Sequence, residues 1–199
     1  MTQQMVKKQI TLAVPDIGNE ELEEINKVFK TGFLTEGSTT KEFESVVADY
    51  LGVKHAIAVT SCTTGLHTVL ECLNIKGQDV IIPDYTYPAT AEAVILAGGN
   101  PVLVDVDLKS MNMTEQNLED QYNDDMKVFS PVSWAGVPLE SKIYEKGKKL
   151  GLKCLEDAAC SLGAKINEKF VGGVADFSCF SFHPRKIITT GEGGMITTD

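Results

Sequence analysis

The sequence predicts an α/β fold in three layers, a mainly parallel mixed sheet with helices on both faces. Three observations carry this. From residue 55 onward, apolar runs of strand length alternate with stretches of helix length, the signature of strand–helix–strand units. Glycine and proline punctuate the junctions: "PLESKIYEKGKKLG" (138–151) opens on Pro and closes on Gly. The chain has 199 residues, 43% hydrophobic and 23% charged, which is ordinary for a globular protein able to bury a sizeable core.

Two amphipathic helices come first. Leu22, Ile25 and Phe29 form a stripe in "NEELEEINKVFK", and Phe43, Val46, Val47 and Tyr50 another in "KEFESVVADYLG". The glycine-bearing loop "TGFLTEGS" separates them. "HAIAVT" (55–60) then reads as a buried strand, and Leu66, Val69, Leu70 and Leu73 stripe the next helix. "DVIIP" (79–83) is a strand, "PATAEAVILAGG" (88–99) a helix closed by glycine, and "PVLVDVD" (101–107) a strand. "TEQNLEDQYND" (114–124) is a helix capped by Thr114, followed by the strand "KVFSPVS" (127–133) and the 138–151 helix. "KCLED" (153–157), "FSCFSF" (177–182) and "GMITTD" (194–199) are the remaining strands. There is no internal repeat or low-complexity tract.

Charge and cysteine usage exclude several classes. A net charge of −10 argues against a nucleic-acid surface. "MTQQMVKKQI" is polar and runs into no long apolar stretch, and "AVILA" (93–97) is far too short to span a bilayer. A cytoplasmic protein without membrane contact is expected. Five scattered cysteines, with no Cys-x-x-Cys pair, give neither a disulfide framework nor a metal site.

In such sheets ligands bind beyond the carboxyl ends of the strands. Four segments there could carry chemistry. "TSCTTG" (60–65) leads straight into a helix, and hydroxyls with free N–H groups at a helix start suit a phosphate; the alternative is a plain cap. In "PDYTYPAT" (83–90), Tyr85 or Tyr87 could stack on a flat ring or pack under the loop. The carboxylate in "LEDAACS" (155–161) suits a cationic ligand nitrogen, or caps the helix that follows. Lys186, near the end of a buried strand, could be desolvated to the neutral amine a Schiff base requires, or simply be solvated. "GEGG" fits neither the P-loop nor the dinucleotide pattern. Taken together, the four segments describe a ligand with a phosphate, a flat ring, a ring nitrogen and an aldehyde. Pyridoxal 5'-phosphate has all four.

The sequence also resembles the pyridoxal-phosphate nucleotide-sugar aminotransferases of the DegT/StrS type, which include perosamine synthase. The likeness runs from "PDIGNEELEEINKVFKTGFLTEG" (15–37) through "LKCLEDAACSLGA" (152–164) to "VGGVADFSCFSFHPRKIITTGEGGMITTD" (171–199). Ser-Phe-x-x-x-Lys followed by Thr-Gly-Glu-Gly-Gly is its most specific part.

The resemblance implies a fold-type-I aminotransferase large domain on a seven-stranded sheet. Lys186 would hold the cofactor covalently and shuttle the proton. Asp157 would pair with the ring nitrogen, Thr63, Thr64 and Ser181 would hold the phosphate, and Tyr87 would stack on the ring. Cys160 stands where relatives carry Gln or His near the ring hydroxyl, and Cys62 where they carry Gly. "PVSWAG" (131–136) lacks a histidine common in relatives. Related dehydratases carry histidine at the position of Lys186, so lysine favours transamination. His183 is either a loop histidine or a substrate contact. The implied reaction moves an amino group from an amino acid, usually glutamate, to a keto group of a nucleotide-linked sugar for polysaccharide synthesis, lipopolysaccharide included, in a homodimer. Family members are longer and finish with a smaller C-terminal domain. Residues 1–199 are therefore expected to be the N-terminal, cofactor-binding large domain without that small domain, weak or inactive alone. A non-catalytic fragment that keeps the fold is the rival reading; a cysteine-desulfurase relative fits the motifs less well.

Overall fold

A computed structural model describes residues 11–199. Helices α1 (Asn19–Thr31) and α2 (Ser38–Leu51) precede a seven-stranded sheet. Its strands are β1 (His55–Val59), β2 (Asp79–Pro83), β3 (Asn100–Val104), β4 (Val128–Phe129), β5 (Lys153–Asp157), β8 (Phe177–Ser181) and β9 (Gly194–Thr198). A separate hairpin pairs β6 (Lys165–Ile166) with β7 (Lys169–Phe170). The intervening helices are α3 (Cys62–Cys72), α4 (Ala89–Leu96), α5 (Glu115–Gln121) and α6 (Ser141–Lys149).

The strand order is β1-β9-β8-β5-β4-β2-β3. Five neighbouring strands, β8 to β3, are parallel; β9 lies antiparallel to both β8 and β1. Only β9 therefore runs against the rest, and every other strand points its carboxyl end to one edge.

Alternation along the strands sorts the core into two faces. Val80, Ile82, Val128, Leu155 and Cys179 meet Leu66, Val69 and Leu70 of α3 and Ala93 and Val94 of α4. Their neighbours Ile81, Phe129 and Cys154 meet Leu118 of α5 and Ile143 of α6. Phe180 and Met195 meet Val47 and Leu51 of α2. This gives the three layers the sequence predicts.

Several expectations change in detail. The fourth strand is confined to Val128–Phe129, because the chain turns out after Ser130 and rejoins β5 through a single Val132–Asp157 bridge. The buried face of α2 is Val47, Ala48 and Leu51, while Val46 and Tyr50 face outward. In α1 no residue is buried, and Leu22, Ile25 and Phe29 are 55%, 49% and 64% exposed. Its stripe is amphipathic without a partner among the described residues.

Candidate active site

The carboxyl edge of the sheet encloses a cavity of about 510 Å³. The first wall is the start of α3. Ser61 caps the helix by accepting from the Thr64 N–H (3.1 Å), and Ser61, Cys62 and Thr63 face the cavity. Gly194 of β9 lies against this turn so closely that a Cβ there would sit 2.5 Å from the Ser61 carbonyl carbon and 2.6 Å from the Cys62 nitrogen. Thr64 itself is exposed. Its hydroxyl is within hydrogen-bond distance of Thr60 Oγ1 (3.0 Å) and Ser61 Oγ (2.7 Å), so the expected pair of threonines divides: Thr63 lines the cavity and Thr64 secures the cap.

Asp157 ends β5 on the α3 side and is buried. Its Oδ2 accepts from Thr90 Oγ1 (2.8 Å), and its Oδ1 from the Ala159 N–H (3.2 Å) and the Cys62 thiol (3.7 Å). Burial raises its pKa, against the pull of Thr90, the Ala159 N–H and the Lys186 charge. A cationic ring nitrogen in the cavity would offset that cost by favouring the carboxylate. Burial also pushes the Cys62 thiol well up, so it stays protonated and acts as a donor.

Lys186 enters from the loop after β8. Phe182 is fully buried and pins the loop at both ends: its N–H donates to the Gly193 carbonyl (2.9 Å), and its carbonyl accepts from the Thr190 N–H (3.1 Å). The Lys186 N–H donates to the His183 carbonyl (2.9 Å). The Lys186 side chain is partly exposed at the cavity wall, with its Nζ 3.1 Å from the Cys160 Sγ. Ser181 lines the cavity beside it. His183 Nδ1 accepts from the Arg185 N–H (3.2 Å), the local bond of a loop histidine, although its ring also reaches the cavity.

The two tyrosines of "PDYTYPAT" part company. Tyr87 is 75% exposed at the cavity edge. Tyr85 packs on Trp134, ring centroids 4.6 Å apart and planes at 47°. Trp134 lines the cavity from a turn held by Asn112, whose Oδ1 accepts from the Trp134 N–H (2.9 Å) and whose Nδ2 donates to the Val137 (3.0 Å) and Pro138 (3.3 Å) carbonyls. Sequence reasoning missed Asn112. Trp134 carried one signal, as the sole tryptophan of the 199 residues.

Thr63, Tyr87, Asp157, Cys160, Ser181 and Lys186 thus share one cavity. A helix start, a buried carboxylate and a lysine on the loop after a strand, arranged around a mainly parallel sheet, fit a pyridoxal-phosphate-binding large domain. No group of three His, Cys, Asp or Glu that could hold a metal occurs among the described residues.

The family profile described as the DegT/DnrJ/EryC1/StrS aminotransferase family matches residues 15–199, and the chain belongs to that family. It is 41% identical over 187 residues to the uncharacterised protein MJ1066 of Methanocaldococcus jannaschii, covering 93% of this chain and 48% of the relative. It is 34% identical over 200 residues to the spore coat polysaccharide biosynthesis protein SpsC of Bacillus subtilis, covering 98% and 51%. The structure superposes on Helicobacter pylori PseC, an aminotransferase involved in the biosynthesis of pseudoaminic acid, with a TM-score of 0.90 at 31% identity, covering 96% of this chain and 52% of that one. The chain spans about half the length of these relatives. Pyridoxal phosphate is the cofactor of the family.

Proposed function

We propose that this chain is the cofactor-bearing large domain of a sugar aminotransferase. It takes an amino group from an amino-acid donor, glutamate, and delivers it to the keto carbon of a nucleotide-linked sugar for polysaccharide synthesis. The observation that carries this is the meeting of the Lys186 amine, the Asp157 carboxylate and the start of α3 around one cavity.

Bound there, pyridoxal phosphate supplies an electron sink. Asp157 holds the ring nitrogen and keeps it charged, and its acceptor bonds from Thr90 and Ala159 fix its aim. Ser61, Thr63 and Ser181 hold the phosphate at the positive end of α3. Tyr87 covers the ring, and Cys160 sits where a donor would meet the ring hydroxyl. Lys186 Nζ would hold the cofactor by its aldehyde carbon and would take up and return the proton of the bound amine's α-carbon. Cys160 Sγ at 3.1 Å is its nearest proton-sharing neighbour. The whole protein is taken to act as a homodimer in the cytoplasm; among the described residues no helix is long and apolar enough to cross a membrane.

Borohydride reduction in the presence of pyridoxal phosphate, followed by peptide mass mapping, tests this. In the whole protein the expected adduct falls on Lys186 alone and disappears in Lys186→Arg, and glutamate converts the unreduced cofactor to its amine form. Labelling scattered over several lysines would remove the reading.

A further inference from the structure

The turn carrying Trp134 is more rigidly built than a connection between strands needs. Ser133 is buried: its N–H donates to the Asp157 carbonyl (3.1 Å), its hydroxyl bonds Glu156 on the far face of the sheet, and its own carbonyl accepts from Ser161 Oγ (3.1 Å). Asn112 clamps the next residues. Ala135 (φ 51°) and Gly136 (φ 86°) are both left-handed, a conformation glycine adopts freely and alanine only at a cost. A Cβ on Gly136 would lie 2.9 Å from the Cys160 carbonyl oxygen. All of this holds one indole at the cavity wall with Tyr85 behind it.

We propose that Trp134, backed by Tyr85, is the wall on which the apolar face of the acceptor's sugar ring stacks, making it a specificity-determining residue; this rests on the aminotransferase reading above. Pyranose C–H groups suit the negative face of an aromatic ring. Position selects the sugar over the nucleotide. Gly136 abuts Cys160, and Cys160 Sγ lies 3.1 Å from Lys186 Nζ, so the wall stands beside the amine that would move the proton at the reacting carbon. The part of the substrate that reaches this point is the reacting ring. The cofactor ring has its own cover in Tyr87, because Tyr85 is already paired.

The test uses the cofactor-loaded protein with dTDP-glucose, UDP-N-acetylglucosamine and GDP-mannose, each beside its own nucleoside diphosphate. Trp134 emission is taken as wild type minus Trp134→Phe, and binding is measured by calorimetry. At least one nucleotide sugar should quench that emission while its nucleoside diphosphate does not. Trp134→Ala and, independently, Tyr85→Ala should weaken that sugar about tenfold, and the nucleoside diphosphate far less. Trp134→Phe should keep most of the affinity. Tyr85 is 48% exposed, so its removal tests the wall without emptying the core. Equal quenching by the nucleoside diphosphate overturns the proposal and gives the wall to the base. So does sugar binding that leaves the emission unchanged, or no binding of any of the three. The donor half is read separately, from the glutamate-driven change in cofactor absorbance. Its failure beside an intact sugar-dependent quench would remove the aminotransferase reading and leave the wall standing.

Discussion

Glu156 and Asp157 are neighbours in sequence that face opposite layers, and their environments differ accordingly. Asp157 looks into the cavity. Glu156 is fully buried on the α6 side, bonded by Ser133 through one oxygen. Tyr144 OH and Ser178 Oγ are buried close to its second oxygen. Burial lifts the Glu156 pKa from its ordinary 4.5 to about 7, against the opposing pull of Ser133, Tyr144 and Ser178. The folded state therefore binds more protons than the unfolded chain in that interval, and stability falls as pH rises through it. The loss is on the order of 3 kcal/mol at most, since one pKa unit is about 1.4 kcal/mol. Glu156→Gln keeps an acceptor for Ser133 and removes the titration. Between about pH 5 and about pH 8 the urea midpoint should drop clearly less for the variant than for the wild type. An equal slope in both would refute the assignment. At this scale the sequence was partly legible. Lys186 and Asp157 stood out because their types and flanking motifs are unusual. The split between Tyr85 and Tyr87 did not, because only tertiary packing puts Trp134 against one of them.

Among the elements, α3 and β9 meet at a close approach of backbone to backbone. Gly194 opens β9 against the first turn of α3, and backbone on that turn blocks any side chain. Gly194→Ala should cost about 1–3 kcal/mol, as overpacking does, because neither the strand nor the helix start yields easily. It should also weaken pyridoxal phosphate binding by shifting the N–H groups proposed to hold the phosphate. Thermal unfolding and cofactor titration measure the two effects. An unchanged cofactor affinity would mean that this turn does not hold the phosphate. The strands were legible because their apolar runs are compact and bounded by Gly, Pro and Asp. The β6–β7 hairpin was not. Its turn places Asn167 (φ 46°) and Glu168 (φ 67°) in the left-handed region, and glutamate there gives none of the usual Asn-Gly signal.

Across the whole molecule, order is uneven. Burial concentrates in β2, β4, β5, β8 and β9, while α1 buries no residue. A helix of 13 residues without packing is marginal in water. Amide hydrogen exchange in this chain should therefore show α1 opening at almost no cost and β8 opening only with global unfolding. Protection of α1 equal to that of β8 would sink the idea and point to a covered stripe. The stripe of Leu22, Ile25 and Phe29 announced a helix correctly, yet periodicity reports only that a face is apolar, and says nothing of what lies on it. Strand order was equally hidden, since it is set by pairings far apart in the chain.

One such pairing governs timing. β1 begins at His55, and its only sheet neighbour among the described residues is β9, which joins it at Thr198. During synthesis nearly all of the described chain must emerge before the edge strand finds its mate. Loop-closure entropy makes contacts of this span slow to form. Helix α3, whose first turn lines the cavity, follows directly from that edge strand, so the cavity closes late in the folding of these residues. A nascent chain halted before β9 would hold Asp157, and even Lys186, with no turn of α3 fixed opposite them. Cofactor capture would then mark a late step in the folding of this domain, and cofactor supply would pull its late intermediates forward by mass action.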